Sequence, residues 1–268
     1  MTALNGNVLI TGATGGIGQA IARAFGAQGA SLTLSGRRTA VLEPLAAELG
    51  ARTIAADLGV RADVHRLVKE AGAVDILVAN AALPATGYFP DLSEQQIDNM
   101  IEVNLTSQIA LVHALLPAML ERNSGHLVFI SSLSGKAASP NSSLYNATKF
   151  GLRGFALALR EDLHDTDIGV SLVLPGFIRD AGMFHESGTK LPKGVGTRTP
   201  EQVAAAVLKA VKHDKAEINV APFGVRAGAD FANLAPVTAS AVQRLTGASK
   251  IADELAAGHA ANPRMRTP

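Results

Sequence analysis

The chain has 268 residues, a formal net charge of +1 and no cysteine, and 47% of its residues are hydrophobic. This length suits one large domain or two small ones, and the charge balance argues against a nucleic-acid binder held by bulk electrostatics. The lack of cysteine excludes disulfide bonds, cysteine-ligated zinc, iron–sulfur clusters and thiol catalysis.

Short apolar runs alternate with longer helical patterns along most of the chain. Runs such as VLI, DILVA and VSLVL are continuous rather than alternating, which is typical of strands buried on both faces of a parallel sheet. The pattern predicts a single doubly wound α/β domain over residues 1–268, with a mainly parallel seven-stranded sheet and helices on both faces. The predicted strands are Asn7–Thr11, Ser31–Ser35, Arg52–Ala55, Asp75–Ala79, Gly125–Ile130, Gly169–Leu174 and Glu217–Val220. The predicted helices lie near residues 17–28, 39–49, 61–72, 94–122, 145–165 and 201–213.

Two stretches fall outside this alternation. Residues 176–199 are rich in Gly, Lys, Pro and Thr without periodicity, and an irregular segment of this length inside a compact domain is often a functional lid. We therefore predict a substrate loop there. Residues 221–268 are predicted to be a C-terminal extension, and we expect its apolar part, 221–247, to pack on the pocket or on a neighbouring subunit. The last residues, 258–268, are expected to be frayed.

No targeting or metal-binding pattern is visible in the sequence. The first residues, MTALNGNVLI, lack a basic region followed by a long apolar stretch, so no signal peptide is predicted. No run of roughly 18 apolar residues predicts a membrane span. The seven histidines are scattered without ligand spacing. We expect a cytoplasmic protein that has no metal site and binds no nucleic acid.

A glycine-rich turn directly follows the first predicted strand and precedes a helical pattern. Its sequence is TGATGGIG, residues 11–18. Glycines let the chain turn sharply and let backbone N–H groups approach a pyrophosphate, which then faces the positive end of the helix. The turn predicts a dinucleotide site that includes Gly12, Thr14, Gly16, Ile17 and Gly18.

The second predicted strand ends in two arginines rather than in an acidic residue. An acid at this point would accept hydrogen bonds from the adenine ribose diol, but Gly36 is followed by Arg37 and Arg38. A guanidinium group pairs bidentately with phosphate. We therefore predict NADP(H) as the cofactor in preference to NAD(H), with Arg37 on the 2′-phosphate and Arg38 in support.

A tyrosine and a lysine are four residues apart at the start of a predicted helix, so Tyr145 and Lys149 lie on one helix face. An ammonium about 4 Å from a phenol favours the phenolate by about 4 kcal/mol at an effective dielectric constant of roughly 20. This corresponds to a decrease of about three units in the phenol pKa before desolvation opposes it. Ser132 follows the fifth strand and could hydrogen-bond a substrate oxygen. Asn104 lies inside a predicted helix, where asparagine is unfavourable without a purpose.

The order and spacing of these motifs resemble the short-chain dehydrogenase/reductase family over about residues 6–222. They are TGxxxGxG, a serine thirteen residues before the tyrosine, and YxxxK. The resemblance implies a Rossmann-type oxidoreductase that interconverts a ketone or aldehyde and an alcohol. It implies that Tyr145 exchanges a proton with the substrate oxygen, which Ser132 holds. It also implies that Lys149 binds the nicotinamide ribose and that Asn104 distorts its helix and supports a proton relay.

The resemblance assigns further cofactor contacts and an assembly. Its remaining cofactor-binding positions are Asp57, Leu58, Asn80, Pro175, Gly176 and Ile178. Ala82 and Asp180 depart from the pattern, since the family usually has glycine and threonine at these positions. The resemblance also implies a homodimer or homotetramer paired through the helices of Asn104 and Tyr145. The residues Leu152, Phe155, Ala156 and Leu159 suit either that contact or the core face of their own helix.

Two other functions stay open at this point. One is reduction of a 3-oxoacyl thioester, with an acidic carrier facing Lys190, Lys193 and Arg198. The other is a non-catalytic NADP-binding sensor. The pocket itself has no readable code, although we expect Tyr88 to border it. An apolar lid over it is predicted from Phe177, Met183, Phe184 and Leu191.

Overall fold

A computed structural model describes residues 2–84, 86–192, 195–246 and 248–261. Seven strands form one sheet in the order β3-β2-β1-β4-β5-β6-β7, and every neighbouring pair is parallel. The predicted α/β class, with its seven parallel strands, is thereby confirmed. The strands are β1 (Asn7–Ile10), β2 (Ser31–Gly36), β3 (Arg52–Ala55), β4 (Ile76–Ala79), β5 (Gly125–Ile130), β6 (Ile168–Pro175) and β7 (Glu217–Val220).

Eleven helices are present within the described residues. They are α1 (Gly16–Gly26), α2 (Thr39–Leu49), α3 (Arg61–Ala71), α4 (Glu94–Ile101), α5 (Ser107–Glu121), α6 (Ser143–Asp162), α7 (Gly182–Glu186), α8 (Pro200–Lys212), α9 (Phe223–Leu234), α10 (Pro236–Thr246) and α11 (Ala248–Ala261). A π-helical segment, Glu102–Thr106, joins α4 to α5, so the predicted helix 94–122 is continuous but locally widened. Capping boxes at Ser93 and Thr199 begin α4 and α8, as their sequences predict.

Helices cover both faces of the sheet because its central strands are buried on both sides. All residues of β4, β5 and β6 are buried. One apolar core lies between the sheet and helices α3, α5 and α6, and the other lies between the sheet and α1, α2 and α8. The chain changes direction across the sheet between β1 and β4, and open sheets of this kind bind ligands outside the carboxyl ends of the strands at that point.

The apolar residues of α6 belong mainly to the core. Leu152, Ala156 and Leu159 are buried against the sheet, and Phe155 packs edge-on against Phe129 with ring centroids 5.9 Å apart. These residues therefore form the core face of α6 rather than an intersubunit surface. The expected homo-oligomer stays a prediction.

One helical stretch, Glu94–Glu121, is long and apolar enough to cross a membrane by length and composition. Within the fold, α5 packs on the sheet through residues such as Leu111, Val112 and Met119. A core helix of a globular domain passes the same test of length and composition, so the expectation that no span is present stays a prediction.

The C-terminal extension forms three helices. The prediction of a frayed end from residue 258 is wrong for residues 258–261, which continue α11. His259 is buried, and Gly258 packs so closely on the backbone of Ser187 that a Cβ atom would come within 2.9 Å of the Ser187 carbonyl carbon. These contacts remove the freedom that a terminal segment usually has. The remainder of the predicted frayed end, 262–268, lies outside the described residues.

Candidate active site

A cavity of about 1110 Å³ opens at the carboxyl ends of the strands. All of the cofactor-binding positions predicted from the sequence line this cavity. All but one of the predicted catalytic residues line it as well. The residues of the predictions that line it are Gly12, Thr14, Gly16, Ile17, Gly18, Arg37, Arg38, Asp57, Leu58, Asn80, Ser132, Tyr145, Lys149, Pro175, Gly176 and Ile178. Asn104 does not line it.

The glycine turn is held against the end of β4. Gly12 has a φ of +65°, and a Cβ atom there would lie 2.7 Å from the Ala81 Cα atom, so both the dihedral angle and the space require glycine. The turn leads into α1, whose first position is preceded by Gly15 with no side-chain cap. The N–H groups of the first turn of α1 are therefore left for an anion, which fits the pyrophosphate of a dinucleotide.

The end of β2 places two arginines beside this turn. Arg38 Nη2 donates a hydrogen bond of 2.7 Å to the Thr14 carbonyl oxygen, and Arg37 Nη1 lies 3.7 Å from Asp57 Oδ2. A Cβ atom at Gly36 would lie 2.8 Å from Thr14 Cγ2. A side chain at position 36 would have to displace that of Thr14, and both guanidinium groups border the cavity.

Asn80 braces the glycine turn from the end of β4. Its side-chain Nδ2 donates to the carbonyl oxygens of Thr11 and Gly12, at 3.0 and 3.1 Å. Its backbone N–H donates to Thr11 Oγ1 at 3.1 Å. Asp57 closes β3 in a similar local way, because its Oδ1 accepts a hydrogen bond from the Gly59 N–H at 2.9 Å. Both side chains shape the floor of the cofactor cleft through the backbone.

The predicted special role of Asn104 has a structural counterpart in the π-helical segment. Asn104 is fully buried, its Oδ1 accepts from the Leu83 N–H at 2.6 Å, and its Nδ2 donates to the Leu83 carbonyl oxygen at 2.9 Å. Sequence reasoning missed Gln108, whose Nε2 donates to the carbonyl oxygens of Ala81 and Asn104. The two amides hold the loop after β4, so Asn104 acts on the cavity through Leu83.

Ser132, Tyr145 and Lys149 converge from β5 and α6. Ser132 Oγ accepts from the Ser134 N–H at 3.1 Å and lies 3.5 Å from the Pro175 carbonyl oxygen, and both Ser132 and Tyr145 line the cavity. Lys149 Nζ donates to the Ile130 carbonyl oxygen at 3.1 Å and lies 5.7 Å from the centroid of the Tyr145 ring. The three side chains share one wall of the cavity.

The segment between Ser132 and Tyr145 is organised by Asn146, which sequence reasoning missed. Its Nδ2 donates to the carbonyl oxygens of Ser134 and Ala137 at 2.7 and 2.9 Å, and its Oδ1 accepts from the Ser139 N–H at 3.2 Å. Asn146 is buried beside the tyrosine, so this loop is fixed directly to the helix that carries it. The only sequence signal was the position of a polar residue next to Tyr145.

Desolvation dominates the protonation of the two ionisable groups. It raises the pKa of Tyr145 to about 12, and the hydrogen bond with Ser132 opposes this shift. Burial lowers the pKa of Lys149 to about 8. The net lowering of the Tyr145 pKa that the sequence predicts is wrong, because burial raises this pKa. The attraction of the Lys149 ammonium, which donates to the Ile130 carbonyl oxygen, stays a prediction.

The nicotinamide side of the predicted site is formed by the end of β6 and the loop after it. Ile178 is buried and forms an isolated parallel bridge with Arg198, which ties the two ends of the predicted loop together. Asp180, which replaces the usual threonine, has a φ of +68° and is exposed, and its Oδ2 lies 3.4 Å from Arg179 Nε. The acid is thus turned to solvent beside a compensating charge.

Comparison with known proteins settles the family. The model of the short chain dehydrogenase family matches residues 6–192. The chain belongs to the short-chain dehydrogenase/reductase family. It is 36% identical over 230 residues to "Ketoacyl reductase HetN" of a Nostoc species, covering 82% of this chain and 80% of that protein. A solved serine dehydrogenase complexed with NADP⁺ superposes with a TM-score of 0.72 at 32% identity, covering 79% of this chain and 94% of the other. A short-chain dehydrogenase from Streptomyces avermitilis gives 0.77 at 25% identity, covering 92% and 98%.

Membership in this family makes the protein an oxidoreductase. Part of the cavity is formed by helices that follow the residues matched by the family model. Helices α9, α10 and α11 contribute residues that sequence reasoning did not single out. They are Val225, Gly228, Ala229, Phe231, Ala239, Val242, Ile251, Ala252, Leu255 and His259. The residues of α9 and α10 lie in the segment 221–247, which was expected at the pocket or at a subunit contact. No such expectation covered α11, because an apolar helix face suits a core as well as a cavity.

Three of the four residues predicted to form an apolar lid border the cavity, and the lid itself stays a prediction. Phe177, Met183 and Phe184 line the cavity, and the two phenylalanine rings lie 5.1 Å apart. Leu191 does not line it, and neither does Tyr88, whose side chain is mainly exposed. The expectations that Leu191 and Tyr88 border the cavity are therefore wrong: Leu191 lies in the segment after α7, and the Tyr88 side chain is mainly in solvent. Lys193, one of the predicted carrier-facing cations, lies outside the described residues.

Proposed function

We propose that the protein is an NADP(H)-dependent oxidoreductase that interconverts a ketone or aldehyde and an alcohol. The observation that carries this proposal is the presence of Ser132, Tyr145 and Lys149 together in the lining of one cavity. These groups can supply a proton and a hydrogen bond to a carbonyl oxygen, and the glycine turn of the same cavity fits a dinucleotide.

The chain supplies the proton and fixes the oxygen. Bound NADPH would supply the hydride to the carbonyl carbon. Ser132 donates a hydrogen bond to the carbonyl oxygen, and Tyr145 transfers its phenolic proton to that oxygen as negative charge develops there. Because the pKa of Tyr145 is about 12, the phenol keeps its proton at neutral pH, which is the form needed for reduction. The Lys149 ammonium stabilises the phenolate that remains and holds the nicotinamide ribose.

The cofactor preference rests on the end of β2. Arg37 and Arg38 offer two guanidinium groups for a 2′-phosphate, and Gly36 provides no carboxylate that would bind an unmodified ribose. The similarity to a dehydrogenase structure that contains NADP⁺ supports the same choice. We propose NADP(H) as the cofactor and NAD(H) as the weaker alternative.

The proposed function is tested by the loss of NADPH absorbance in the presence of ketones and aldehydes. Ser132→Ala is expected to lower kcat by roughly 10²- to 10³-fold, because it removes the hydrogen bond to the developing oxyanion. Ser131→Ala is the matched control, since Ser131 also borders the cavity but its Oγ donates to the Lys149 carbonyl oxygen at 3.3 Å. Equal activity of wild-type protein and Ser132→Ala would contradict the assigned role.

Reduction of a 3-oxoacyl thioester is the second candidate, and the similarity to HetN favours it. Reduction of a 3-oxoacyl coenzyme A with a kcat/KM well above that of every simple ketone would support this alternative. A third reading, a non-catalytic NADP-binding sensor, requires tight NADPH binding without reduction of any carbonyl compound. The catalytic groups gathered in the cavity argue against it.

We further propose that the protein acts in the cytoplasm as a homodimer or homotetramer. Ile101 on α4 and Phe150 on α6 are exposed apolar residues of the helices expected to pair. Burial of such residues between subunits is favourable at about 25 cal/mol per Å². Light scattering of the purified chain tests the assembly, and replacement of both residues by serine is expected to shift it toward monomer.

A further inference from the structure

The C-terminal helices give the substrate side of the cavity an apolar wall. Val225 and Phe231 of α9, Val242 of α10, and Ile251 and Leu255 of α11 all line it. None of these side chains can hydrogen-bond a ligand. A substrate body that rests on this wall is therefore bound by burial of apolar surface rather than by polar recognition.

Helix α11 is held in place by one buried histidine, which contacts helix α7 and the loop after β4. His259 Nε2 pairs with the Met183 carbonyl oxygen of α7 at 3.0 Å, and Nδ1 pairs with Thr86 Oγ1 in the loop after β4. Burial lowers the pKa of His259, so the ring is neutral at neutral pH. A neutral ring then donates from Nε2 to the carbonyl oxygen and accepts from the threonine hydroxyl group.

Two further contacts fix the same helix. Asn141 Nδ2 donates to Asp253 Oδ1 at 2.5 Å, and Gly258 lies directly against the backbone of Ser187. Ile251, Leu255 and His259 are spaced at intervals of four, so they share the inward face of α11. The polar contacts at the end of the helix therefore determine where its apolar residues meet the cavity.

We propose that α11 is a specificity-determining wall of the substrate chamber, seated by His259 as a positioning residue, and that it selects carbonyl compounds with a large apolar group. This inference rests on the proposed carbonyl reduction. A small ketone leaves the wall uncovered, whereas a long alkyl or aryl chain covers it. The apolar body thus contributes to binding, while Ser132 and Tyr145 act only on the carbonyl oxygen.

The test uses the full chain with NADPH and a homologous series of 2-alkanones from 2-butanone to 2-decanone. Each added methylene that is buried is expected to raise kcat/KM about fourfold, which corresponds to about 0.8 kcal/mol per CH₂. Leu255→Ala and His259→Phe are expected to reduce this factor to less than about twofold, mainly by raising KM.

The matched control is Glu254→Ala, on the exposed face of the same helix. It is expected to keep the chain-length dependence of wild type. If His259→Phe fails to fold, Leu255→Ala provides the same comparison without loss of the two histidine hydrogen bonds. An equal chain-length dependence in wild type and Leu255→Ala would overturn the role of α11. Equal kcat/KM for all alkanones in wild type would overturn the apolar substrate class.

A binding measurement separates this inference from the proposed function. Thermal stabilisation of the protein by the same alkanones, measured with NADPH present, does not require turnover. Stabilisation that increases with chain length, without any reduction, would support the wall and refute carbonyl reduction. Reduction without chain-length dependence in either measurement would refute the wall and leave carbonyl reduction intact.

Discussion

The cofactor side and the substrate side of the cavity are formed by different parts of the chain. On the cofactor side, the backbone of a local turn forms the surface, and Asn80 and Arg38 hold that turn by hydrogen bonds to its carbonyl oxygens. On the substrate side, apolar side chains of α9–α11 form the surface, and these helices follow the sheet in sequence. One side is thus fixed by local geometry, and the other by packing between distant segments.

Ion pairs between distant residues hold helix α9 in place, whereas hydrogen bonds to a local turn hold the cofactor side. Lys136 Nζ pairs with Asp230 at 3.0 Å and also with Glu217, and Arg153 Nε pairs with Glu217 at 2.7 Å. These ion pairs anchor α9 to β7 and α6. The apolar side chains that line the cavity take no part in these ion pairs. They can therefore change without disturbing the anchors, so substrate range can vary while cofactor binding is retained.

The largest expected effect tests proton transfer by Tyr145 separately from binding on the cofactor and substrate sides of the cavity. Tyr145→Phe removes only the hydroxyl group, so kcat is expected to fall by roughly 10²- to 10⁴-fold, the usual contribution of a positioned acid. NADPH affinity, measured by fluorescence titration, is expected to stay within about threefold of wild type. Full activity of this variant would refute the proposed mechanism, and loss of NADPH binding would place the phenol in the cofactor surface.

A second prediction concerns the backbone character of the cofactor side. Gly12→Ala is expected to lower the free energy of unfolding by roughly 2–5 kcal/mol, because the positive φ and the approach to Ala81 both oppose a Cβ atom. Gly29→Ala is the matched control, since Gly29 has a φ of +77° with no atom near its Cβ position. It is expected to cost only about 1–2 kcal/mol. Equal losses in chemical denaturation would show that proximity to Ala81 is unimportant.

A third prediction concerns pH dependence, which we expect from one buried histidine in the sheet and another in the C-terminal helices. Burial lowers the pKa of His126 in β5 to about 4, and its Nε2 pairs with Ser171 Oγ at 2.8 Å. The nearby Asp214 opposes that shift, and Arg160 adds to it. A folded-state pKa below the unfolded value of about 6.5 means that stability is complete above pH 6.5 and is lost as the pH falls toward 4.

The expected loss is about 3 kcal/mol over this interval, at 1.36 kcal/mol per pKa unit. Denaturation of wild type and His126→Asn at several pH values measures it, and the variant is expected to show a flatter profile. His259 also has a lowered pKa, so seating of α11 is expected to weaken as the pH falls below 6.5. An identical pH profile in His126→Asn and wild type would contradict the assignment to the sheet.

The smallest predicted effect tests the cofactor preference. Arg37→Ala is expected to lower the ratio of kcat/KM for NADPH to that for NADH by roughly 10- to 100-fold, the range for loss of a charged hydrogen bond. Arg23→Ala on α1, whose arginine pairs with Glu48 on the surface, is the matched control. A preference for NADH over NADPH that persists in both Arg37→Ala and Arg23→Ala would contradict the assignment of NADP(H).

The cofactor side and the sheet could be predicted because their signals are local. TGATGGIG requires glycine where the chain turns, and the buried strands show continuous apolar runs. Asn104 was found because asparagine is unfavourable inside a helix, yet its partner Leu83 was not, since nothing in the sequence identifies a backbone acceptor. The tyrosine pKa was wrong because spacing shows which groups are neighbours and does not show how much water reaches them.

Sequence alone determined the fold class, the family, the cofactor cleft and the pairing of Tyr145 with Lys149, since each depends on short spacings within a strand, turn or helix. Only the tertiary structure decided the substrate side, where α11 meets the loops of Thr86 and Met183 through His259. Those contacts join residues 173 and 76 positions apart. The apolar pattern of a helix indicates that one face is buried, and only the tertiary structure determines whether that face meets a core or a cavity.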